Sequence, residues 1–284
     1  GLVVIDEEQR FGVAHKEKLK QMRAEVDVLT LSATPIPRTL YMSMTGARDM
    51  SLLQTPPQER LAIETRIERD HDAVIRNAIH NELARDGQVY FLHNRVMTID
   101  LMLGRLRRIV PEARIAVAHG QRSAAELSAT MRRFESGEID LLLCTTIIES
   151  GLDIPRANTI IVHRADRFGL ADLYQLRGRV GRSVHRGFAY LLLPSHGHLD
   201  EDARQRMGAL RRHGGLGGGF NLALRDLEIR GAGNMLGAEQ SGHIAAVGFS
   251  LYCQLLRRTM ARLQGKQPPQ LVDTSLQLDF IENV

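Results

Sequence analysis

Gln175-Leu176-Arg177-Gly178-Arg179-Val180-Gly181-Arg182 (QLRGRVGR, residues 175–182) interleaves three arginines with two glycines. The glycines at 178 and 181 let backbone approach a ligand or a neighbouring domain closely. The spacing of Arg179 and Arg182 can put both guanidinium groups on one helical face. So placed, they can stabilise charge on a transferring γ-phosphoryl group. A solvated basic helix end would not need two glycines among its arginines. Arginines of this kind need a nucleotide site to reach into, and such sites lie at the carboxyl edge of a parallel sheet. The stretch therefore predicts an α/β fold.

The rest of the chain has the matching pattern. Short apolar runs alternate with longer amphipathic segments, which argues for α/β layers around a mostly parallel sheet. Strands are expected at Leu2–Asp6, Val26–Leu31, Ala62–Ile67, Val89–Leu92, Arg114–Ala118, Asp140–Cys144, Thr159–Val162 and Ala189–Leu193. Helices are expected at His71–Arg85, Thr98–Val110, Ser123–Phe134 and Ala171–Gly178. Ser123 and Glu126 form an S-x-x-E capping box at the head of the third. Thr55-Pro56-Pro57 interrupts the pattern; two strands precede it and a complete set of strand–helix units follows, to about residue 194. Beyond 198 come a charged helix (Asp200–Arg212), a glycine run (214–219), an amphipathic segment (Asn221–Ile229) and a helix over about 249–263.

Bulk composition sets limits. The 284 residues are 43% hydrophobic and 25% charged, values of a soluble globular protein. No apolar run is long enough to cross a bilayer, and no basic-then-apolar leader opens the chain. It begins with Gly and enters a strand at once, so it is expected to be a piece of a longer polypeptide. Cys144 and Cys253 lie far apart in apolar surroundings, as reduced core residues of a cytoplasmic protein would. The eleven histidines form no zinc-ligand spacing. The net charge of +4 conceals 33 Arg against 4 Lys. Arginine suits bidentate phosphate contacts, but a GC-rich coding sequence produces the same bias, so composition permits nucleic acid without establishing it.

Several strand ends carry polar groups suited to phosphate chemistry. Asp6, Glu7 and Gln9 end the first strand in "DEEQ". An aspartate there can hold Mg²⁺ through water, and a neighbouring glutamate can orient the attacking water. "SATPIPRT" ends the second strand with the hydroxyls of Ser32 and Thr34, followed by prolines that stop it. In "CTTIIESGLDIPRAN", Thr145 and Thr146 suit a phosphate, Gly151 supports a tight turn and Asp153 can accept from a ribose hydroxyl. "HNR" at 93–95 and "AHGQ" at 118–121 could touch a nucleic-acid backbone. Taken one at a time, each of these reads equally as an ordinary turn.

In order, DEEQ, SATPIPRT, HNR, HG, TTIIESGLDIP and QLRGRVGR resemble motifs II to VI of the superfamily-two helicases and translocases, over roughly residues 2–190. The resemblance implies two RecA-like domains with ATP between them. It assigns catalysis to Asp6, Glu7, Gln9, Arg179 and Arg182, with Asp6 as magnesium ligand. It assigns ATP contacts to Gly151, Asp153 and Gln175. DNA contact or coupling falls to Ser32, Thr34, Asn94, Arg95, His119, Gly120, Thr145 and Thr146. In that family a glycine-rich phosphate loop precedes the DE strand; these 284 residues hold no G-x-x-x-x-G-K-[ST], so alone they are expected to lack ATPase activity.

The tail, "DLEIRGAGNMLGAEQSGHIAAVGFSLYCQLL" (226–256), resembles the helical-hairpin module that follows the motor in transcription-repair coupling factors and in RecG-type branched-DNA helicases. The wording of 144–166 and of the EQSG element is closer to the former. By that resemblance Arg206, Arg230 and Gln240 couple ATP turnover to stepping on DNA. The implied organisation is 1–54, end of a first RecA-like domain; 55–197, a complete second; 198–264, the helical hairpin and loop translocation module; and 265–284, a linker. The implied partners are double-stranded DNA, and RNA polymerase and excision-repair proteins through segments outside this chain, with no membrane. The alternatives are a RecG-like branched-DNA helicase, or a DNA-binding lobe without ATPase activity.

Overall fold

The computed structural model describes residues 1–6, 26–32, 49–53, 61–145, 154–181, 185–213 and 218–230, with residues 258 and 262 singly. The chain divides into two compact units, Gly1–Pro37 with Leu52–Arg230 and Arg38–Ser51 with Gly231–Val284. Of the second, only residues 49–51, 258 and 262 are among those described. The expected helix over 249–263 otherwise lies outside them.

In the first unit, β1 (Leu2–Asp6) and β2 (Asp27–Leu31) form a two-stranded parallel sheet in which Val4 pairs with Leu29 and Asp6 with Leu31. Ile5 is buried, whereas Leu2, Val4, Leu29 and Leu31 share the opposite face and are exposed. Side chains alternate across a strand, so this register gathers all four apolar groups on one side.

Six further strands are all parallel: β3 (Glu64–Arg69), β4 (Gln88–Leu92), β5 (Ile115–Ala118), β6 (Leu141–Cys144), β7 (Ala157–His163) and β8 (Phe188–Leu193). Their order is β3-β8-β7-β4-β6-β5. The sequence places all eight strands correctly, with ends shifted by one or two residues. Helices α1 (Asp72–Leu83) and α2 (Ile99–Ile109) cover one face of the larger sheet. Their Ile75, Ile79, Leu106 and Ile109 pack on Val89, Phe91, Leu141 and Leu143. The other face receives α3 (Ala124–Glu135), α4 (Leu170–Arg177), α5 (Glu201–His213) and α6 (Gly219–Arg230). Phe134, Leu173, Met207 and Leu222 pack there on Tyr90, Leu92, Leu142 and Val162. Burial on both faces explains why the central strands read as continuous apolar runs.

The capping box forms as expected: the Glu126 N–H donates to Ser123 Oγ at 3.3 Å, and the Ser123 N–H to Glu126 Oε2 at 2.9 Å. Two expectations change. Helix α4 stops at Arg177, so Arg179 sits in the turn beyond it and is not on a helical face. The amphipathic segment expected at Asn221–Ile229 begins two residues earlier, so the last glycine of the run, Gly219, opens α6.

The turn after α4 shows what its glycines do. Gly178 has ordinary helical backbone, φ −66°. Gly181 has φ +67°, and a Cβ there would come within 3.1 Å of both Gly187 Cα and Ile63 Cγ1. The close approach is therefore made to this chain's own backbone. Gly181→Ala should cost roughly 2 kcal/mol or more from the left-handed backbone and the crowding together. That loss would appear as a lower urea midpoint at unchanged slope; an unmoved midpoint would contradict this packing.

Candidate functional site

Because all six strands run the same way, their carboxyl ends lie on one edge. There the chain leaves β3 at Asp70, β4 at His93-Asn94-Arg95, β5 at His119-Gly120, β6 at Thr145 and β7 at His163-Arg164. Strand β4 lies between β6 and β7, and the connection from β6 to β7 must cross it. Crevices that accept ligands in open α/β sheets form where strand order reverses in this way. The His93 N–H donates to the Cys144 carbonyl at 2.8 Å and the Thr145 N–H to the Ala118 carbonyl at 3.2 Å, which brings the ends of β4, β6 and β5 into register. Asn94, Arg95 and Gly120 are exposed, His119 is half-buried and Thr145 is buried. The structure thus places on one edge five of the residues read from separate motifs.

Asp6 ends β1, Ser32 follows β2, and the two strands pair in register, so these residues belong to the carboxyl edge of the smaller sheet. Both are exposed. Among the described residues no three histidine, cysteine or acidic side chains converge as a metal cage. Magnesium takes one or two carboxylates and fills its shell with water and phosphate oxygens, so an exposed strand-end Asp6 fits that demand.

In the arginine stretch, Gln175 and Arg179 are half-buried and both are engaged in contacts within the chain. Arg177 is buried, its guanidinium 4.7 Å from the centre of the Tyr174 ring. One of the three arginines therefore packs inward. Helices α5 and α6 pack against each other and against α4. Arg206 on α5 donates from Nη2 to the Asp166 carbonyl at 2.8 Å, in the turn after β7. That residue, located in sequence only by its spacing from Arg230, joins the helical segment to the edge of the sheet. Arg230 is the last residue of α6. Glu7, Gln9, Thr34, Thr146, Gly151, Asp153, Arg182 and Gln240, and the side chain of Arg230, lie outside the described residues.

The same edge contains a polar chain that no motif indicated. His163 Nε2 lies 3.2 Å from Asp70 Oδ2, and Arg105 of α2 donates to both Asp70 oxygens at 2.8 and 2.9 Å. His163 Nδ1 faces His93 Nδ1 at 2.9 Å, and His93 Nε2 meets Thr98 Oγ1 at 2.8 Å. Burial alone would raise the Asp70 carboxyl, but hydrogen bonds from His163 and Arg105 outweigh it and hold the group well below the usual carboxylate range. Burial, with the charges of His163 and Arg95, pushes His93 down to about 4. In sequence, only His93 stands out, as the first residue of the strand-end HNR; its partners are long-range.

Residues 70–184 match the family model for the helicase conserved C-terminal domain. The chain is 55% identical over 271 residues to the transcription-repair-coupling factor of Myxococcus xanthus, covering 95% of this chain and 22% of that protein. To the Escherichia coli K12 protein of the same name it is 52% identical over 282 residues, covering 99% and 25%. The chain thus spans about a quarter of the length of these relatives. Among solved structures, RecG bound to a three-way DNA junction superposes with a TM-score of 0.62 at 32% identity, over 90% of this chain and 33% of that one. Saccharomyces cerevisiae Dbp5 bound to RNA and ADP BeF3 superposes at 0.52 and 16% identity, over 74% and 56%, a likeness of fold alone. The expected RecA-like α/β architecture is the one observed.

His93 gives this edge a pH signature. Its folded-state value lies below its ordinary 6.5, so its contribution to stability is complete above pH 6.5 and is lost as pH falls towards 4. The urea midpoint of the chain is expected to drop across that window, and His93→Gln to reduce the drop. An equal drop in the variant would remove His93 as its source.

Proposed function

We propose that this chain, which carries a helicase conserved C-terminal domain and is kin to the transcription-repair-coupling factors, is the downstream part of an ATP-driven double-stranded DNA translocase. The whole protein would displace stalled RNA polymerase in the cytoplasm and couple transcription to nucleotide excision repair. Polymerase and repair proteins would bind through other segments. The observation that carries this reading is identity above 50% across nearly the whole chain, including the tail beyond the sheet. No described helix is long and apolar enough to cross a membrane.

In this reading residues 1–54 end a first RecA-like domain, 55–197 form the second, 198–264 form the translocation module and 265–284 a linker. ATP would bind between the two RecA-like domains. Magnesium, when bound through Asp6, would neutralise charge on the phosphates. Glu7 would orient and deprotonate the attacking water, Gln9 would link this strand end to the arginine turn, and Arg179 and Arg182 would stabilise charge on the γ-phosphoryl group. Gly151, Asp153 and Gln175 would contact the nucleotide.

DNA would be held by its backbone. Ser32, Thr34, Asn94, Arg95, His119, Gly120, Thr145 and Thr146 offer hydroxyls, amides and one guanidinium at strand ends, groups suited to phosphate rather than to base edges. Arg206, Arg230 and Gln240 would transmit turnover to stepping. Residues 1–284 alone would bind DNA without hydrolysing ATP, for want of a phosphate loop.

A RecG-like branched-DNA helicase is the second reading, favoured by the RecG superposition over 90% of the chain. Full-length protein separates the two. Removal of stalled polymerase without unwinding of forked DNA supports the first, and the converse supports the second. In the same protein, Glu7→Gln is expected to keep ATP binding and lose hydrolysis. Arg230→Ala should retain most ATPase while translocation collapses; normal stepping by that variant would overturn the role given to α6.

A further inference from the structure

Thr98 occupies the N-cap position of α2, yet its hydroxyl makes no capping bond to the helix. A threonine at that position ordinarily accepts from the first-turn N–H groups. Here it turns to His93 Nε2 instead. From there the chain of bonds runs His93, His163, Asp70, Arg105, and Arg105 returns it to α2 two turns on. The ring thus closed encloses the turn at 93–97, whose Asn94, Arg95 and Met97 are exposed. Backbone bonds inside the turn, from the Arg95 N–H to the His93 carbonyl and from the Thr98 N–H to the Arg95 carbonyl, are short-range. The side-chain relay is what ties the turn to β3 and β7.

We infer that the His163–His93–Thr98 relay, anchored by Asp70 and Arg105, presets the turn that presents Asn94 and Arg95 to a nucleic-acid phosphate. These five are positioning residues; none of them need touch the ligand. The inference rests on the phosphate-gripping role proposed above for Asn94 and Arg95.

Proton counting explains why two histidines serve here. Asp70 accepts, so His163 Nε2 carries a hydrogen. With His163 neutral, His93 Nδ1 donates to it, and His93 Nε2 accepts from the Thr98 hydroxyl. With His163 charged, its Nδ1 donates to His93. The His93 Nε2 hydrogen then points at Thr98, whose own proton turns to the Arg95 carbonyl, 3.5 Å away. Each link holds one proton in either setting, so the relay stays closed whichever state His163 adopts. The charged groups facing it are Asp70, Arg95 and Arg105, with Asp72 bound in turn to Arg105.

The test is binding of full-length protein to a labelled duplex across a salt series. The slope of log affinity against log salt falls by about 0.9 for each phosphate the protein ceases to neutralise. Arg95→Ala is expected to lower that slope by about this amount. Thr98→Val keeps shape and removes only the hydroxyl. It should weaken binding three- to tenfold and lower the slope, and Thr98→Ser should restore both. His163→Phe should do the same from the far end, and the double variant should lose no more than either single one. A merely structural relay would alter the folded fraction and leave the slope alone. Should Arg95→Ala reduce the slope while Thr98→Val or His163→Phe does not, the relay proposal is wrong and phosphate gripping stands. An unchanged slope in Arg95→Ala would overturn both.

Discussion

Six strands that all run the same way have a single carboxyl edge, and the rest of the molecule follows from that constraint. Parallel neighbours cannot be joined by tight hairpins, so the connections cross the faces of the sheet, and among the described residues those after β3, β4, β5 and β7 bring a helix with them. Both faces are covered as a result, which leaves the edge as the place where backbone leaves the sheet and polar side chains gather. Strand β4 lies innermost and is buried along its whole length. The loop that follows it therefore starts from a rigid base. That is the sort of base the proposed backbone-gripping residues would require, because a hydrogen bond is lost when its partners move apart by an ångström.

What could be read from sequence is what depends on local pattern. Apolar runs bounded by turn residues located all eight strands, and the Ser123–Glu126 box located the start of α3. Side-chain direction was harder. Arg179 and Arg182 have helical spacing, but the helix ends before either, since the chain must turn at Gly181 to pass Gly187. Arg177 resembles its neighbours in sequence and differs only because its place on α4 turns it inward, against Tyr174. Neither difference is periodic, so neither could be read in advance.

The polar relay was invisible for a different reason. Asp70 and His93 follow β3 and β4 and His163 ends β7, and their meeting depends on the order β3-β8-β7-β4. A single histidine after an apolar run reads as a solvated strand end. Three such ends become one hydrogen-bonded unit only once the sheet order is known. Arg105 is similarly one of several arginines on α2, set apart only by facing Asp70 and Asp72.

Helices α5 and α6 are joined to that edge by a bond of some stiffness. Arg206 donates to the carbonyl of Asp166, and the Asp166 carboxylate is held by both Nε and Nη2 of Arg164. Arg164 itself takes the left-handed backbone, φ 56°, unusual for a long side chain. If α5 shifted without the turn after β7, the Asp166 carbonyl would lose its donor and a partly buried guanidinium its acceptor. Such losses cost about 1–3 kcal/mol for each buried group left unpaired. Moving the turn together with α5 keeps both bonds. The turn begins one residue after His163, so whatever moves α5 reaches the relay behind Asn94 and Arg95 through a single strand end. If the chain works in the motor proposed above, this contact would offer a mechanical route from α5 to the proposed phosphate grip. It depends on the Asp166 carbonyl, on the Asp166 carboxylate that pairs with Arg164, and on an arginine at 206, which few others could replace.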